Sequence, residues 1–169
     1  DFALQALEQG AKYAVVDNPA LLERAGSSNS LILVDDVLTT LQALARYHRL
    51  RFHIPVLALT GTNGKTTTKE LIAAVLRKRY NVLATEGNLN NHIGVPLTLL
   101  KLDKSVQAAV IEMGASAPGE IKRLVEIVCP TFGLITSIGK AHLMGFGSLE
   151  GVMQTKGELL DDLLAHRRI

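Results

Sequence analysis

The segment GTNGKTTTKE at 61–70 holds the residues best suited to chemistry. Gly61, Thr62, Asn63, Gly64, Lys65 and Thr66 have the composition of a phosphate-binding loop. Glycines let backbone N–H groups converge on an anion at a helix N-terminus, a lysine neutralises the outer phosphates, and the next hydroxyl can ligate Mg²⁺. The usual pattern puts four residues between its first glycine and the Gly-Lys pair. Here that first position is Leu59, and the loop is the shorter G-T-N-G-K-T. Gly-Lys-Thr alone is weak evidence, so the flanking elements must confirm it. The plain alternative is a glycine turn followed by a solvated lysine. A cation at a helix start opposes the helix dipole, which leaves Lys65 unexplained unless it meets an anion.

Three further groups of residues have chemical potential. Glu112 follows the apolar run Val106–Ile111, and a carboxylate at the carboxyl end of a core strand, beside a phosphate loop, is placed to bind a metal. His142 follows the apolar run Phe132–Ser137 and is expected at the same sheet edge. The loop TEGNLNNHIGVP, 85–96, carries Asn88, Asn90 and Asn91 at the end of another strand, where α/β sheets bind ligands; a turn selected for backbone geometry is the alternative. Lys156 lies on a helical stretch whose local pattern marks it only as a solvated lysine.

The elements needed to position these residues are legible. Ile54 and Val56–Leu59 form an apolar strand before the loop, and Leu71, Ile72, Val75 and Leu76 give the following helix an apolar face. Asn81–Ala84, Val106–Ile111 and Phe132–Ser137 read as further strands. Leu97–Leu102 reads as a helical turn or two, and Pro118–Val128 as a helix with Ser116 as its cap. A last helix starts near Ser148, whose hydroxyl can cap it. Earlier in the chain, Phe2–Gln9 reads as a helix closed by Gly10, Lys12–Val16 as a strand, Leu21–Arg24 as a helical turn and Gly26–Ser30 as a loop. Leu31–Val34 reads as a strand, and Asp35–Arg51 as a helix capped by Asp35 or Asp36. Alternating strands and helices predict parallel pairing through crossover connections. The expected class is therefore α/β: residues 1–50 end a small domain, and 51–169 begin a larger one with a mostly parallel sheet and a phosphate loop.

Composition narrows the function. The chain has 169 residues, 47% of them hydrophobic, with 18 basic against 16 acidic side chains, four Phe and three Tyr. No basic block or aromatic–basic interleaving is present, so a nucleic-acid partner is not expected. The single cysteine, Cys129, rules out an intrachain disulfide and reads as a buried, inert thiol. No apolar run approaches the ~20 residues of a membrane-spanning helix, and no signal-peptide pattern opens the chain. A cytoplasmic monomer is expected. The first residues read as the tail of an element already under way, and the last stretch as a helix that stops, so the chain is expected to be a piece of a longer enzyme.

GTNGKTTTKE, TEGNLNNHIGVPLTLL, VIEMGA and TSIGKAHLMGFGSLEGVMQTKGEL together resemble the Mur ligases of bacterial cell-wall synthesis. The resemblance covers roughly Arg51 to Leu160, with the first fifty residues fitting the end of that family's uridine-binding domain. GNLNNHIGVP and AHLMGFGS favour the member that adds D-alanyl-D-alanine to UDP-N-acetylmuramoyl-tripeptide. Folylpolyglutamate synthases share the short loop but follow Gly-Lys with Gly-Ser, where Thr66 and Thr67 stand here. The resemblance implies that residues 61–67 bind ATP, that Lys65 contacts the β and γ phosphates, and that Thr66 and Glu112 hold Mg²⁺. It assigns His142 and Lys156 to a second Mg²⁺, the lysine after carbamylation, and Asn88, Asn90 and Asn91 to the muramoyl-peptide substrate or metal-site waters. The family's adenine-binding segment and C-terminal domain would follow Ile169, so the isolated chain is expected not to ligate. A phosphoryl-transferring small-molecule kinase and a non-enzymatic nucleotide-binding module are the competing readings.

Overall fold

In the larger part of the molecule, apolar residues alternate between the two faces of a sheet, as the two-residue period of a strand requires. Val56 and Ala58 enter one core with Ala109 and Ile111, while Leu57 and Leu59 enter the other with Ala108 and Val110. A strand buried on both faces reads as a continuous apolar run, which is why AAVIE at 108–112 is buried at all five positions. The computed structural model describes residues 2–24, 30–139 and 143–166.

The chain divides into two compact units, Asp1–Ala43 and Leu44–Ile169. The packing boundary thus lies within a helix whose C-terminal end approaches Arg51, where the sequence places the domain boundary. The first unit holds α1 (Phe2–Glu8), β1 (Ala14–Val16), α2 (Ala20–Arg24), β2 (Leu31–Leu33) and the start of α3 (Val37–Leu50). β1 and β2 run parallel, with Ala14 opposite Leu31. Val16, Leu21 and Leu31 form a small core. Of the two expected caps for α3, Asp36 is the one used: its Oδ1 accepts the Thr39 N–H at 2.6 Å.

The second unit holds β3 (Val56–Thr60), α4 (Lys65–Leu76), β4 (Val82–Ala84), α5 (Gly94–Leu99) and β5 (Ala108–Glu112). It continues with α6 (Glu120–Val128), β6 (Phe132–Ile135), α7 (Leu143–Phe146) and α8 (Leu149–Ala165). The strand order is β4-β5-β3-β6, all parallel, so the carboxyl ends of all four strands share one edge. Ala73 of α4 packs in the core on one side of the sheet. Ile121 and Leu124 of α6 and Leu159 and Leu163 of α8 pack in the core on the other. The end of α3 joins this unit through Arg49, whose buried guanidinium donates from Nε to Val128 O at 3.0 Å and from Nη2 to Cys129 O at 3.1 Å. Cys129 is itself buried, in the left-handed conformation that ends α6.

Some boundaries differ from the sequence reading. α5 begins at Gly94, inside the segment expected to be loop, because Asn91 Oδ1 accepts the N–H groups of Ile93 at 3.1 Å and Gly94 at 2.8 Å. Gly94, Val95 and Pro96 are buried, so only the first part of that loop is a polar surface feature. α6 starts at Glu120 rather than Pro118, and Ser116 does not cap it; Gly119, at φ 81°, precedes its first turn. The short α7 was not anticipated. Ser148 caps α8 as expected, its Oγ accepting the Gly151 N–H at 3.1 Å. Among the described residues no helix is long and apolar enough to cross a membrane.

Candidate active site

The loop between β3 and α4 needs glycine at two places. Gly61, at φ 146°, lies so close to Thr136 that a Cβ there would collide with the threonine Oγ1, and Gly64, at φ 78°, takes a left-handed conformation before the first turn of α4. The loop is fastened to the segment leaving β6. Thr62 N–H donates to Ser137 O at 2.9 Å, Asn63 N–H to Ser137 Oγ at 3.0 Å, and Thr136 Oγ1 to Asn63 O at 2.7 Å. Thr62 Oγ1 accepts the Gly139 N–H at 3.0 Å. With its outer side so held, the loop leaves the first N–H groups of α4, which have no partner within the helix, to face an anion. Lys65 Nζ curls back over the loop, donating to Gly61 O at 2.8 Å and Thr62 O at 3.3 Å. An ammonium so poised can exchange these carbonyls for phosphate oxygens.

Glu112 is the last residue of β5 and is almost wholly buried. Its N–H donates to Thr85 Oγ1 at 2.9 Å, and its Oε1 accepts Asn90 Nδ2 at 2.8 Å and Thr66 Oγ1 at 3.4 Å. Its Oε2 is buried and has no hydrogen-bond partner among the described residues. A buried carboxylate oxygen left without a donor is costly. A hard cation between this oxygen and the Thr66 hydroxyl would remove that cost, so the donor set suits Mg²⁺. Among the described residues no cluster of three or more acidic, His or Cys side chains is arranged for a metal. Two protein donors fit an ion that takes its other ligands from phosphates and water.

The three asparagines separate. Asn90 is tied to Glu112 through its side chain, and its carbonyl accepts the Gly114 N–H at 2.7 Å. Asn91 spends its Oδ1 on the start of α5 and still lines the cleft described below. Asn88 is exposed, with its carbonyl accepting the Asn90 N–H at 2.8 Å, and is not among the residues lining that cleft. Thr67 is exposed on the first turn of α4. His142 lies outside the described residues.

Lys156 is not the solvated lysine its local pattern suggests. α8 buries it to 3% exposure, with Nζ 3.4 Å from Ala115 O and 5.4 Å from the centre of the Phe146 ring. Burial, together with the charge of Lys65, pulls its pKa down to about 8, against the opposing pull of Glu120 and Glu158. Lys65, Asn90, Asn91, Ser116 and Lys156 line one cleft of about 390 Å³ in the second unit. Sequence reasoning missed Glu120, His92 and Arg123, which line it too. Burial works to raise the Glu120 pKa, but the N–H groups of Ser116 and Ala117, the Ser116 hydroxyl and nearby His92 outweigh it and hold the carboxyl below its ordinary value. Missed as well was Glu158, whose carboxylate accepts Gly119 N–H at 2.8 Å and Lys122 N–H at 2.7 Å, binding α8 to the start of α6. Chemically, the site combines an ammonium hydrogen-bonded over a glycine loop at a helix start, a buried carboxylate with one oxygen lacking a donor among the described residues, and an amine shifted toward its neutral form.

Comparison with known proteins gives a consistent picture. The Mur ligase middle domain family matches residues 59–168. The UDP-N-acetylmuramoyl-tripeptide–D-alanyl-D-alanine ligase of Bacillus subtilis is 43% identical over 162 residues, covering 96% of this chain and 35% of that protein. The enzyme of the same name from Synechocystis is 46% identical over 159 residues, covering 94% of this chain and 35% of its own length. A crystal structure of MurF from Acinetobacter baumannii superposes with a TM-score of 0.86 at 38% identity, over 95% of this chain and 34% of that one. MurF ligase from Thermotoga maritima, solved in complex with ADP, gives 0.84 at 36% identity, over 94% and 36%. The chain thus spans about a third of the length of the relatives it matches.

Proposed function

The chain belongs to the Mur ligase family, and on that premise we propose that it is part of an ATP-dependent amide-bond ligase joining D-alanyl-D-alanine to UDP-N-acetylmuramoyl-tripeptide in peptidoglycan precursor synthesis. The full-length protein carries this activity, as a cytoplasmic monomer. Residues 51–169 are the first part of its central ATP-binding domain, and residues 1–50 end a domain that holds the uridine part of the substrate.

The chemistry has one electrostatic difficulty. The tripeptide's terminal carboxylate attacks the γ-phosphorus of ATP, ADP leaves, and the resulting acyl phosphate is attacked by the dipeptide amine. That amine loses a proton, phosphate departs and the amide remains. Both partners of the first step are anions, so cations must screen their repulsion and stabilise the in-line transition state. Lys65 would follow the γ-phosphoryl group, moving from the loop carbonyls that it now contacts. Thr66 and Glu112 would hold one Mg²⁺, and His142 with Lys156 a second; the ions supply charge neutralisation across the phosphates. An ammonium cannot ligate a cation. Lys156 serves only after its neutral amine adds to CO₂ and loses a proton, giving an anionic carbamate oxygen donor. Its burial and lowered pKa favour the neutral amine that this addition needs. Asn90 orients Glu112, and Asn88 and Asn91 face the muramoyl-peptide or metal-bound waters.

The observation that carries this reading is the buried Lys156 lining one cleft with the phosphate-loop lysine. The test is phosphate release by the full-length protein with Mg-ATP, supplied with each substrate separately and with both. Release that requires both supports the ligase. Release without the dipeptide points to phosphoryl transfer with no amine acceptor, and no release in any combination leaves a nucleotide-binding module.

A further inference from the structure

Lys69, one turn beyond Lys65 on α4, is fully buried, at 0% exposure, in the second unit. Lysine is almost never so buried unless paired, because its charge resists leaving water. Among the described residues its carboxylate partner is Glu70 at 3.0 Å, which is itself more than half exposed and can return to solvent. The bond that needs Lys69 inside the protein is the other one: Nζ donates to Thr85 O at 2.6 Å.

Thr85 joins three parts of the site. It follows β4 at the carboxyl edge of the sheet, and it opens the asparagine loop. Its N–H donates to Val110 O at 3.1 Å, and its hydroxyl accepts the Glu112 N–H at 2.9 Å. α4 therefore meets Glu112 twice: directly through Thr66, and one turn later through Lys69 and Thr85. Ala73 packs α4 against the sheet, and the two polar contacts on successive turns set the orientation in which Thr66 meets Glu112. The geometry points to Lys69 as a positioning residue, which sets the approach of the Thr66 hydroxyl to the Glu112 carboxylate and so the affinity of that pair for a divalent cation. This rests on the proposed cation site, and not on ligation. A methionine would fill the same space but supply no donor to the buried Thr85 O, so the contact between α4 and the residue that opens the asparagine loop depends on the cation.

The test measures Mn²⁺ affinity in the presence of ADP by electron paramagnetic resonance on the full-length protein, beside thermal unfolding without metal or nucleotide. Lys69→Met weakens Mn²⁺ binding roughly 10- to 100-fold, the range for residues that orient metal ligands, while the variant, less stable for want of a donor to Thr85 O, still unfolds cooperatively above the temperature of the binding measurement. Thr85→Val weakens it in the same direction, and Thr85→Ser, which keeps the hydroxyl, restores it. Unchanged Mn²⁺ affinity in Lys69→Met and Thr85→Val overturns the proposal, as does absence of Mn²⁺ binding in the unaltered protein. A loss of affinity that disappears when binding is measured far below the variant's unfolding midpoint reduces Lys69 to a structural role. If Lys69→Met does not fold, Lys69→Gln, which keeps a shorter donor toward Thr85 O, takes its place, and unchanged Mn²⁺ affinity in that folded variant overturns the proposal. A protein that binds Mn²⁺ with ADP but does not join its substrates would refute the ligase reading and leave this inference to be judged on the affinities alone.

Discussion

The two lysines of the cleft are built in opposite ways. Lys65 stands at the start of a helix, half-buried, and its ammonium is satisfied by two loop carbonyls within four residues of it in sequence. Lys156 comes from a distant helix, is almost wholly buried, and meets one long carbonyl contact and the face of Phe146. The first environment keeps a charge available to move. The second withdraws solvation from a charge and thereby favours its neutral form. One side-chain type thus presents a hydrogen-bonded ammonium on one wall and, on the proposed function, a nucleophile toward CO₂ on the other.

The largest effect is expected from removing the mobile cation. In the full-length protein, Lys65→Ala should lower the rate of phosphate release by at least about 10²–10³-fold, the usual cost of losing one preorganised charge donor at a transition state. Because the Lys65 ammonium, among the described residues, bonds loop carbonyls at the surface end of its own helix, unfolding in the absence of nucleotide should be little changed. Substantial turnover by Lys65→Ala would break the comparison, since the loop lysine would then be no more than a local tether.

A smaller effect, but one with a defined sign, is expected at Lys156. Its native pKa of about 8 lies below the ordinary 10.5. Between these values the unfolded chain binds more protons than the native one, so stability rises with pH across that window and is lost as pH falls through about 8. The slope is on the order of 1 kcal/mol per pH unit at most. Denaturant unfolding at several pH values in CO₂-free buffer should show this rise, and Lys156→Met should flatten it. The same ionisation governs carbamate formation, so added bicarbonate should raise activity more above pH 8 than below it. An activity indifferent to bicarbonate at every pH would leave Lys156 as a plain cation.

The contrast between the walls also explains what the sequence made legible. The glycine loop at 61–64 is contiguous, so glycine spacing, an apolar strand and an amphipathic helix were enough to place it between β3 and α4. Glu112 was legible because a strand buried on both faces reads as an apolar run, and the residue ending it must emerge at the carboxyl edge. Ser148 was legible because a helix cap is a local contact. The burial of Lys156 and Lys69 was not, since it depends on which face of α8 meets α6 and on which face of α4 meets β4. The start of α5 was missed for a related reason: Asn91 was read for its polarity, while its side chain is engaged in closing a turn. Glu120 and Glu158 carried no signal in the sequence, because their partners are mainly backbone N–H groups that no residue-type pattern displays.

Glu158 offers the finest test of the second wall. Its carboxylate accepts two N–H groups at the start of α6, Gly119 and Lys122, where helix geometry leaves such donors without partners and where the dipole favours an anion. Because Glu158 stands two residues beyond Lys156 on α8, this cap from a neighbouring helix also fixes the part of α8 that carries the buried amine. Glu158→Gln keeps one acceptor oxygen and loses the charge, so one of the two bonds and the favourable dipole interaction go. The expected cost is about 1 kcal/mol in denaturant unfolding, the usual value of a helix cap. Glu158 also pulls the Lys156 pKa upward, so its neutralisation should lower that pKa further and move the rise in stability to lower pH. A variant that loses stability without shifting this pH dependence would show that the cap holds the helices together but does not tune the lysine between them.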